Sequence, residues 1–181
     1  MMSKTNYITR LIILISLTLS FEMLGLPQPI TGPLVNLMLI LTTLALNPLA
    51  GVILGSVSPF VAVIRGQLPP ILLPMVPFII IANALFVLIF GFIGKLFPFS
   101  LHHDSSPLKS IGNWLGLLLG ATIKFLWLYA SASFVVPLIL GKQFPAPFIA
   151  MMAIPQFITA IIGGIFALLI FAMLRESRFT K

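Results

Sequence analysis

Residues 71–95 read ILLPMVPFIIIANALFVLIFGFIGK, and Asn83 is the only polar side chain in that run before its final lysine. A helix of about 20 apolar residues is long enough to span the hydrocarbon core of a bilayer. The whole chain has this character, because 60% of its 181 residues are hydrophobic and only 7% are charged. In a typical soluble domain about 25% of the residues are charged. The sequence therefore predicts an all-α integral membrane protein with a single transmembrane domain.

Stretches rich in proline and glycine divide the chain into six predicted spans. The predicted helices cover residues 7–24, 34–46, 48–64, 71–95, 110–140 and 148–174. The second helix is short for a membrane span, so it is tilted, buried in protein or extended into the preceding loop at residues 25–33. We expect the six helices to pack as one compact bundle over residues 1–181.

Lysine and arginine are divided unevenly between the two ends of the predicted helices. Arg65 and Lys142 lie at one end, whereas the other end holds Lys4, Arg10, Lys95, Lys109, Arg175, Arg178 and Lys181. Cytoplasmic loops of membrane proteins carry an excess of positive charge. Both termini are therefore predicted in the cytoplasm, and the loops after helices 1, 3 and 5 are predicted outside. This distribution accounts for the net charge of +7 without a nucleic-acid partner.

The three predicted outward loops contain more proline and glycine than the inward connections. Their polar residues include Gln28, Thr31, Arg65 and Gln67. Irregular backbone at membrane depth occurs where protein or a water-filled cavity covers it. We therefore expect a lidded pocket that opens outward. The alternative is that the three loops are ordinary surface turns.

One face of predicted helix 5 carries a stripe of small and polar residues. Spacings of three and four place on that face Asn113, Gly116, Gly120, Lys124, Trp127 and Ser131. The two glycines allow another helix to approach closely. At a rise of about 1.5 Å per residue, Lys124 lies about 20 Å from the cytoplasmic end. The stripe therefore predicts helix packing in its inner part and ligand contact in its outer part.

Ionisable side chains inside a bilayer usually face the protein interior or a cavity. Two residues fit this description, Lys124 and Glu22, which lies near the outer end of helix 1. The predicted substrate-binding residues are Glu22, Gln28, Arg65, Asn83, Lys124, Trp127, Ser131 and Gln156. Several have structural alternatives. Asn83 and Gln156 fit interhelical hydrogen bonds equally well, Lys124 fits an ion pair with Glu22 or an outward-snorkelling position, and Trp127 fits an interface belt.

The motifs of common catalytic and metal sites are absent from the sequence. It contains no cysteine, no Gly-x-x-x-x-Gly-Lys-Ser/Thr loop and no His-Glu-x-x-His motif. Its three acidic residues, Glu22, Asp104 and Glu176, lie far apart in the chain. The His102-His103-Asp104 segment is expected to be a solvated cytoplasmic loop rather than a metal site. We therefore predict a protein that is not an enzyme and that has no cofactor and no metal site.

Two features resemble the substrate-binding (S) component of energy-coupling-factor (ECF) vitamin transporters. Residues 47–55, NPLAGVILG, are similar to the Gly-Pro-x-x-Gly-x-x-x-Gly run between helices 2 and 3 of that family, with Asn47 in place of the first glycine. Ser16 and Ser20 lie in helix 1 where the family often has two alanines spaced by four. The plan of six spans with cytoplasmic termini is also similar.

The resemblance implies a function in uptake. S components capture a vitamin or related micronutrient from outside the prokaryotic plasma membrane and carry it inward by toppling. They act with a transmembrane coupling subunit and two cytoplasmic ATPases. By this likeness residues 26–31 form the lid, helices 4 to 6 form the pocket, and the coupling face includes Ser16, Ser20, Gly51 and Gly55.

The basic residues Lys124, Arg65 and Lys142 favour an anionic or carboxylate-bearing substrate. Two alternative functions stay open, a small stand-alone secondary carrier and a non-transport membrane scaffold. A stand-alone carrier usually shows inverted repeats, and the two halves of this chain show no convincing repeat. A third alternative, a small intramembrane enzyme, has the shortage of acidic residues against it.

Overall fold

The computed structural model describes residues 3–97 and 106–179, so the predicted loop residues His102, His103 and Asp104 lie outside the described part. The described residues form α-helices and contain no β-strand, which confirms the all-α class. The helices are α1 (Lys4–Met23), α2 (Gln28–Ala45), α3 (Pro48–Ile64), α4 (Val76–Leu96), α5 (Ile111–Ala130), α6 (Val136–Leu140), α7 (Ala146–Met151) and α8 (Ile154–Phe179).

These helices form about six rods, where a rod is a single helix or several helical segments that follow one another directly. A 3₁₀ segment, Pro70–Met75, leads directly into α4, and a π-helical turn, Ser131–Val135, joins α5 to α6. Five of the rods are long and apolar enough to cross a membrane. They are Lys4–Met23, Gln28–Ala45, Pro70–Leu96, Ile111–Leu140 and Ala146–Arg175. The remaining rod, α3, is apolar but shorter, with 17 residues.

The structure differs from the prediction at the start of α2, which begins at Gln28 rather than at residue 34. Pro29 occupies the first turn of the helix, where no backbone N–H is needed, so it starts the helix instead of breaking it. The Thr31 hydroxyl donates to the carbonyl of Leu26 at 2.7 Å and ties this turn to the preceding residues. Of the loop predicted at 25–33, residues 25–27 lie outside the helices, whereas residues 28–33 belong to α2, in agreement with the alternative that this helix extends into the loop. The predicted lid at 26–31 is therefore mostly helix.

Prolines also divide three predicted helices into shorter pieces. Helix 4 starts with the 3₁₀ segment that contains Pro74, and Pro77 occupies the first turn of α4. Pro137 has no N–H for the carbonyl four residues earlier, and the adjacent Val136 N–H bonds instead to the Ser131 carbonyl, which produces the π-helical turn. Pro155 follows the break between α7 and α8.

Helices α2, α3, α4, α5 and α8 pack as a ring, in which α2 contacts α3, α4 and α8. Helix α5 approaches α4 closely at Gly116 and Gly120, where an added Cβ would come within 2.9 Å of the carbonyl oxygens of Phe90 and Phe86. This confirms the close helix packing predicted for the inner part of the stripe. Helix α1 lies outside the ring against α2 and α3, and it buries only Thr18 and Glu22.

Candidate functional site

A cavity of about 90 Å³ lies inside the bundle near the ends of α1 and α3 and the starts of α2, α4 and α8. One buried water needs roughly 10–15 Å³ of such space, so the cavity accommodates several waters or a small ligand. The three chain reversals at this end of the bundle each contain a glycine in the left-handed region, Gly25, Gly66 and Gly141. These are the loops that the sequence analysis predicted on one face of the protein.

Lys124 forms one polar wall of the cavity and is only 3% exposed. Its Nζ donates to Asn36 Oδ1 at 2.6 Å and to Asn83 Oδ1 at 2.8 Å, and it lies 5.3 Å from the centre of the Phe86 ring. Each amide is held in turn, because Asn36 Nδ2 donates to the Gly32 carbonyl and Asn83 Nδ2 donates to the Gly55 carbonyl. The lysine is therefore fixed by side chains of α2 and α4, neither of which carries a negative charge.

Glu22 forms the second polar wall and is 2% exposed. Its Oε1 accepts a hydrogen bond of 2.5 Å from the Ser58 hydroxyl of α3. Its Oε2 is buried and has no hydrogen-bond partner in the described residues. The Gln67 side chain donates to the Glu22 carbonyl at 3.0 Å and attaches the loop after α3 to the end of α1. Only one oxygen of this carboxyl group is therefore used inside the protein.

Lys124 and Glu22 line the same cavity without contacting each other. Within the described part of the chain, neither side chain takes part in an ion pair, and the hydrogen bonds of Lys124 go to amide oxygens. The structural ion pair considered from the sequence is therefore not formed. Two ionisable side chains of opposite kind therefore line one cavity from separate helices, and neither is paired with the other.

Five of the eight predicted substrate-binding residues line the cavity. They are Glu22, Gln28, Asn83, Lys124 and Gln156. The other three lie elsewhere. Trp127 donates from Nε1 to the Phe78 carbonyl at 3.0 Å, and Ser131 is buried in the π-helical turn. Arg65 is exposed at the end of α3, where its guanidinium lies beside Gly25.

Asn83 and Gln156 also form structural hydrogen bonds. Asn83 joins α3, α4 and α5 through Gly55 and Lys124. Gln156 Nε2 donates to the Met151 carbonyl at 3.3 Å across the break between α7 and α8. Both amides therefore combine the structural position with a place in the cavity wall, and the two interpretations of these residues are compatible.

Asn36 and Ser58, which hold the two ionisable side chains, were not predicted from the sequence. Asn36 is an isolated amide in an apolar helix, and Ser58 is a hydroxyl in another. An amide inside a membrane span needs a hydrogen-bond partner, because an unpaired polar group in lipid is energetically costly, as a charge is. That signal was present for Asn36. A single serine gives a weaker signal, because serine hydroxyls in helices often bond to the carbonyl four residues earlier.

The structure separates the four residues predicted to contact a coupling subunit. Ser16 and Ser20 are exposed on the outer face of α1. Gly51 and Gly55 are buried inside the bundle, where an added Cβ on Gly55 would come within 2.9 Å of the Asn83 Cβ. The two glycines therefore serve the packing of α3 against α2 and α4 and do not share an exposed surface with Ser16 and Ser20.

Apolar side chains form part of the cavity wall at the end of the bundle. Leu68 and Met152 belong both to the cavity wall and to a buried cluster with Leu72, Met75 and Phe144. Two residues of the predicted lid at 26–31, Gln28 and Thr31, also line the cavity. In the described residues, no group of three or more histidine, aspartate or glutamate side chains comes together.

Comparisons of this chain with protein-family models, with curated proteins and with solved structures find no match. The functional interpretation therefore rests on the sequence and on the geometry of the cavity.

Proposed function

We propose that this chain is the membrane-embedded substrate-binding subunit of an ECF-type importer and that it captures a vitamin or related micronutrient with an anionic group. The observation that carries the proposal is Lys124, a buried cation in a cavity wall whose protein partners are the neutral amides of Asn36 and Asn83. A buried charge usually has a partner of opposite charge. An anionic substrate supplies that partner.

The proposed topology places the cavity toward the outside of a prokaryotic plasma membrane. The end of the bundle that holds the cavity carries Arg65 and Lys142, whereas most lysines and arginines lie at or near the other end. By the positive-inside rule this puts both termini in the cytoplasm. A substrate then enters from outside, through the apolar cluster that contains Leu68 and Met152.

Transport by this route requires partners. The chain has no phosphate-binding loop of the Walker type, so two separate ATPases and a coupling subunit supply the energy. The proposed coupling face is the outer side of α1, where exposed Ser16 and Ser20 are small residues spaced by four. Small residues allow a partner helix to approach closely.

Ligand identification tests the proposed binding function most directly. The chain is purified from membranes in mild detergent, and compounds that leave it on denaturation are identified by mass spectrometry. We expect an anionic or carboxylate-bearing micronutrient that is retained by the native chain and lost from Lys124→Met. Retention of a cationic compound, with the same yield from Lys124→Met, would contradict the proposal.

The coupling face is tested with Ser16→Leu and Ser20→Leu in a complex co-expressed with a coupling subunit and ATPases. Both side chains are exposed, so we expect the free energy of unfolding of the isolated chain to change by no more than about 0.5 kcal/mol. Co-purification of the partners should fall sharply, because leucine blocks close helix contact. Thr122→Leu on α5 is the matched control, since its hydroxyl bonds to the carbonyl four residues earlier as that of Ser20 does.

A stand-alone carrier is the second candidate, and Glu22 favours it. Membrane-embedded carboxyl groups in a cavity often carry protons in such carriers. Uptake into liposomes that contain only this chain distinguishes the two functions. Accumulation that needs no ATPase and that is abolished in Glu22→Gln supports the carrier. Binding without accumulation supports the importer subunit.

A further inference from the structure

We infer that the cavity selects a dipolar ligand, whose anionic group binds Lys124 and whose amino or other N–H group binds Glu22. The inference rests on the proposed binding function and adds to it the second polar group of the ligand. Its basis is the presence in one cavity of two buried ionisable side chains of opposite kind, each with unused hydrogen-bonding capacity.

The unused capacity of Glu22 is its Oε2 atom, which is buried and has no donor in the described residues. Buried carboxyl oxygens in proteins nearly always accept a hydrogen bond. The adjacent Oε1 already accepts from Ser58, so the side chain is held in place with its second oxygen free. Because Glu22 lines the cavity, a ligand N–H group there would supply the donor that this oxygen lacks.

In its protonated form, Lys124 has one unused donor, the third ammonium hydrogen. A lysine ammonium has three donors, and two of them go to Asn36 and Asn83. The neutral amide oxygens satisfy hydrogen bonds but leave the positive charge uncompensated. An anionic group on the ligand provides both a third acceptor and a negative charge.

Apolar side chains, among them Val35, Pro59, Ile79 and Met152, line the cavity together with Lys124 and Glu22. We therefore expect a ligand with one polar group for each ionisable side chain and apolar atoms between them. A purely anionic ligand leaves Glu22 Oε2 without a donor, and a purely cationic ligand leaves the charge of Lys124 uncompensated. The cavity therefore favours a molecule that carries both groups.

Binding of ω-amino acids to the purified chain tests the inference. The probes are glycine, β-alanine, 4-aminobutanoate, 5-aminopentanoate and 6-aminohexanoate, together with the simple carboxylates and simple amines of the same lengths. Affinities are measured by isothermal calorimetry in detergent. At one chain length, we expect the amino acid to bind about tenfold more tightly than the carboxylate or the amine of that length. A hydrogen bond to a charged group contributes a difference of about this size.

Two variants assign the ends of the probe. Glu22→Gln should reduce the affinity for the best amino acid to that for its carboxylate counterpart. Lys124→Met should reduce it to that for the amine counterpart. Lys95→Met, an exposed lysine at the opposite end of the bundle, should change neither value. A comparison on the native chain needs no variant. The analogue of the best amino acid with a methoxy group in place of the amino group has no N–H donor, and it should bind no better than the carboxylate.

The outcomes separate the inference from the proposed function. If simple carboxylates bind as tightly as the amino acids at every length, and their binding depends on Lys124, the dipolar inference is overturned and the anionic-substrate proposal stands. If no carboxylate or amino acid shows binding that depends on Lys124, both are overturned. A chain-length optimum that disappears in Glu22→Gln supports the inference.

Discussion

The two polar walls of the cavity are built in different ways. The Lys124 wall is a network across α2, α4 and α5, in which both partner amides are themselves tied to backbone carbonyls. The Glu22 wall depends on α1, which lies outside the ring of helices and buries only Thr18 and Glu22. One hydroxyl, that of Ser58, holds the carboxyl group. More side-chain hydrogen bonds therefore hold the Lys124 ammonium group than hold the Glu22 carboxyl group, and we expect the lysine side to be the more rigid of the two.

This difference assigns separate roles to the two walls. A rigid, preorganised group contributes affinity, because little ordering remains to be done on binding. A group on a lightly packed helix shifts with that helix at lower cost. We therefore expect Lys124 to determine how tightly an anionic ligand binds. We expect a ligand that binds Glu22 to shift α1. The outer face of α1 is the proposed contact with the coupling subunit.

Removing the ammonium group should produce the largest effect on binding. Lys124→Met keeps a long apolar side chain and removes the charge. A hydrogen bond to a charged group contributes about 1.5–3 kcal/mol, so the affinity for a carboxylate probe should fall by roughly 10- to 150-fold. Isothermal calorimetry measures the change. An affinity within twofold of that of the native chain would show that the ligand does not contact the lysine wall.

The sequence predicted the helices of the lysine wall better than it predicted the lid. The apolar run at 71–95 and the stripe through Gly116, Gly120 and Lys124 follow directly from helical spacing and membrane length. The start of α2 could not be predicted in this way, because a proline in the first turn of a helix and a proline in a loop look alike in the sequence. The prolines that divide helices 5 and 6 caused the same ambiguity.

The partners in the cavity were harder to predict than the charged groups. Lys124 and Glu22 were identifiable because an ionisable side chain in a bilayer needs a special environment. Which amide meets the lysine depends on how α2, α4 and α5 cross, and local spacing does not encode that. Asn36 was therefore missed, although Asn83 was predicted. Trp127 shares the lysine face in the helical pattern, yet its indole bonds to the Phe78 carbonyl outside the cavity wall.

The rigidity of the lysine wall depends on the close contact of α4 with α5. In Gly120→Ala the added Cβ would lie 2.9 Å from the Phe86 carbonyl oxygen, and backbone atoms move only if the helices separate. Overpacking of this kind destabilises by roughly 1–3 kcal/mol. We expect a lower thermal midpoint and weaker binding of a carboxylate probe, because Asn83 and Lys124 lie on the two separated helices.

Gly94→Ala is the matched control for this contact. Its added Cβ would meet only the Asn113 side-chain oxygen, at 3.1 Å, and a side chain adjusts more easily than a backbone. In a helix interior alanine is favoured over glycine by about 1 kcal/mol, so this variant should be neutral or slightly stabilising. Equal thermal midpoints for the two variants would show that the α4–α5 contact does not limit the rigidity of the wall.

The smallest expected effect is the coupling between Ser58 and Glu22, and a double-mutant cycle measures it. Unfolding free energies are determined for Ser58→Ala, Glu22→Gln and the double variant in mixed detergent micelles. Interhelical hydrogen bonds in membrane proteins average about 0.6 kcal/mol and reach about 1.7 kcal/mol, so the coupling should fall in that range. The same cycle with Lys124→Met and Asn83→Leu should give a larger value, because it removes a bond to a charged group within a shared network. If the Ser58–Glu22 coupling is the larger of the two, α1 is the more firmly held side of the cavity, and the roles assigned to the two walls must be exchanged.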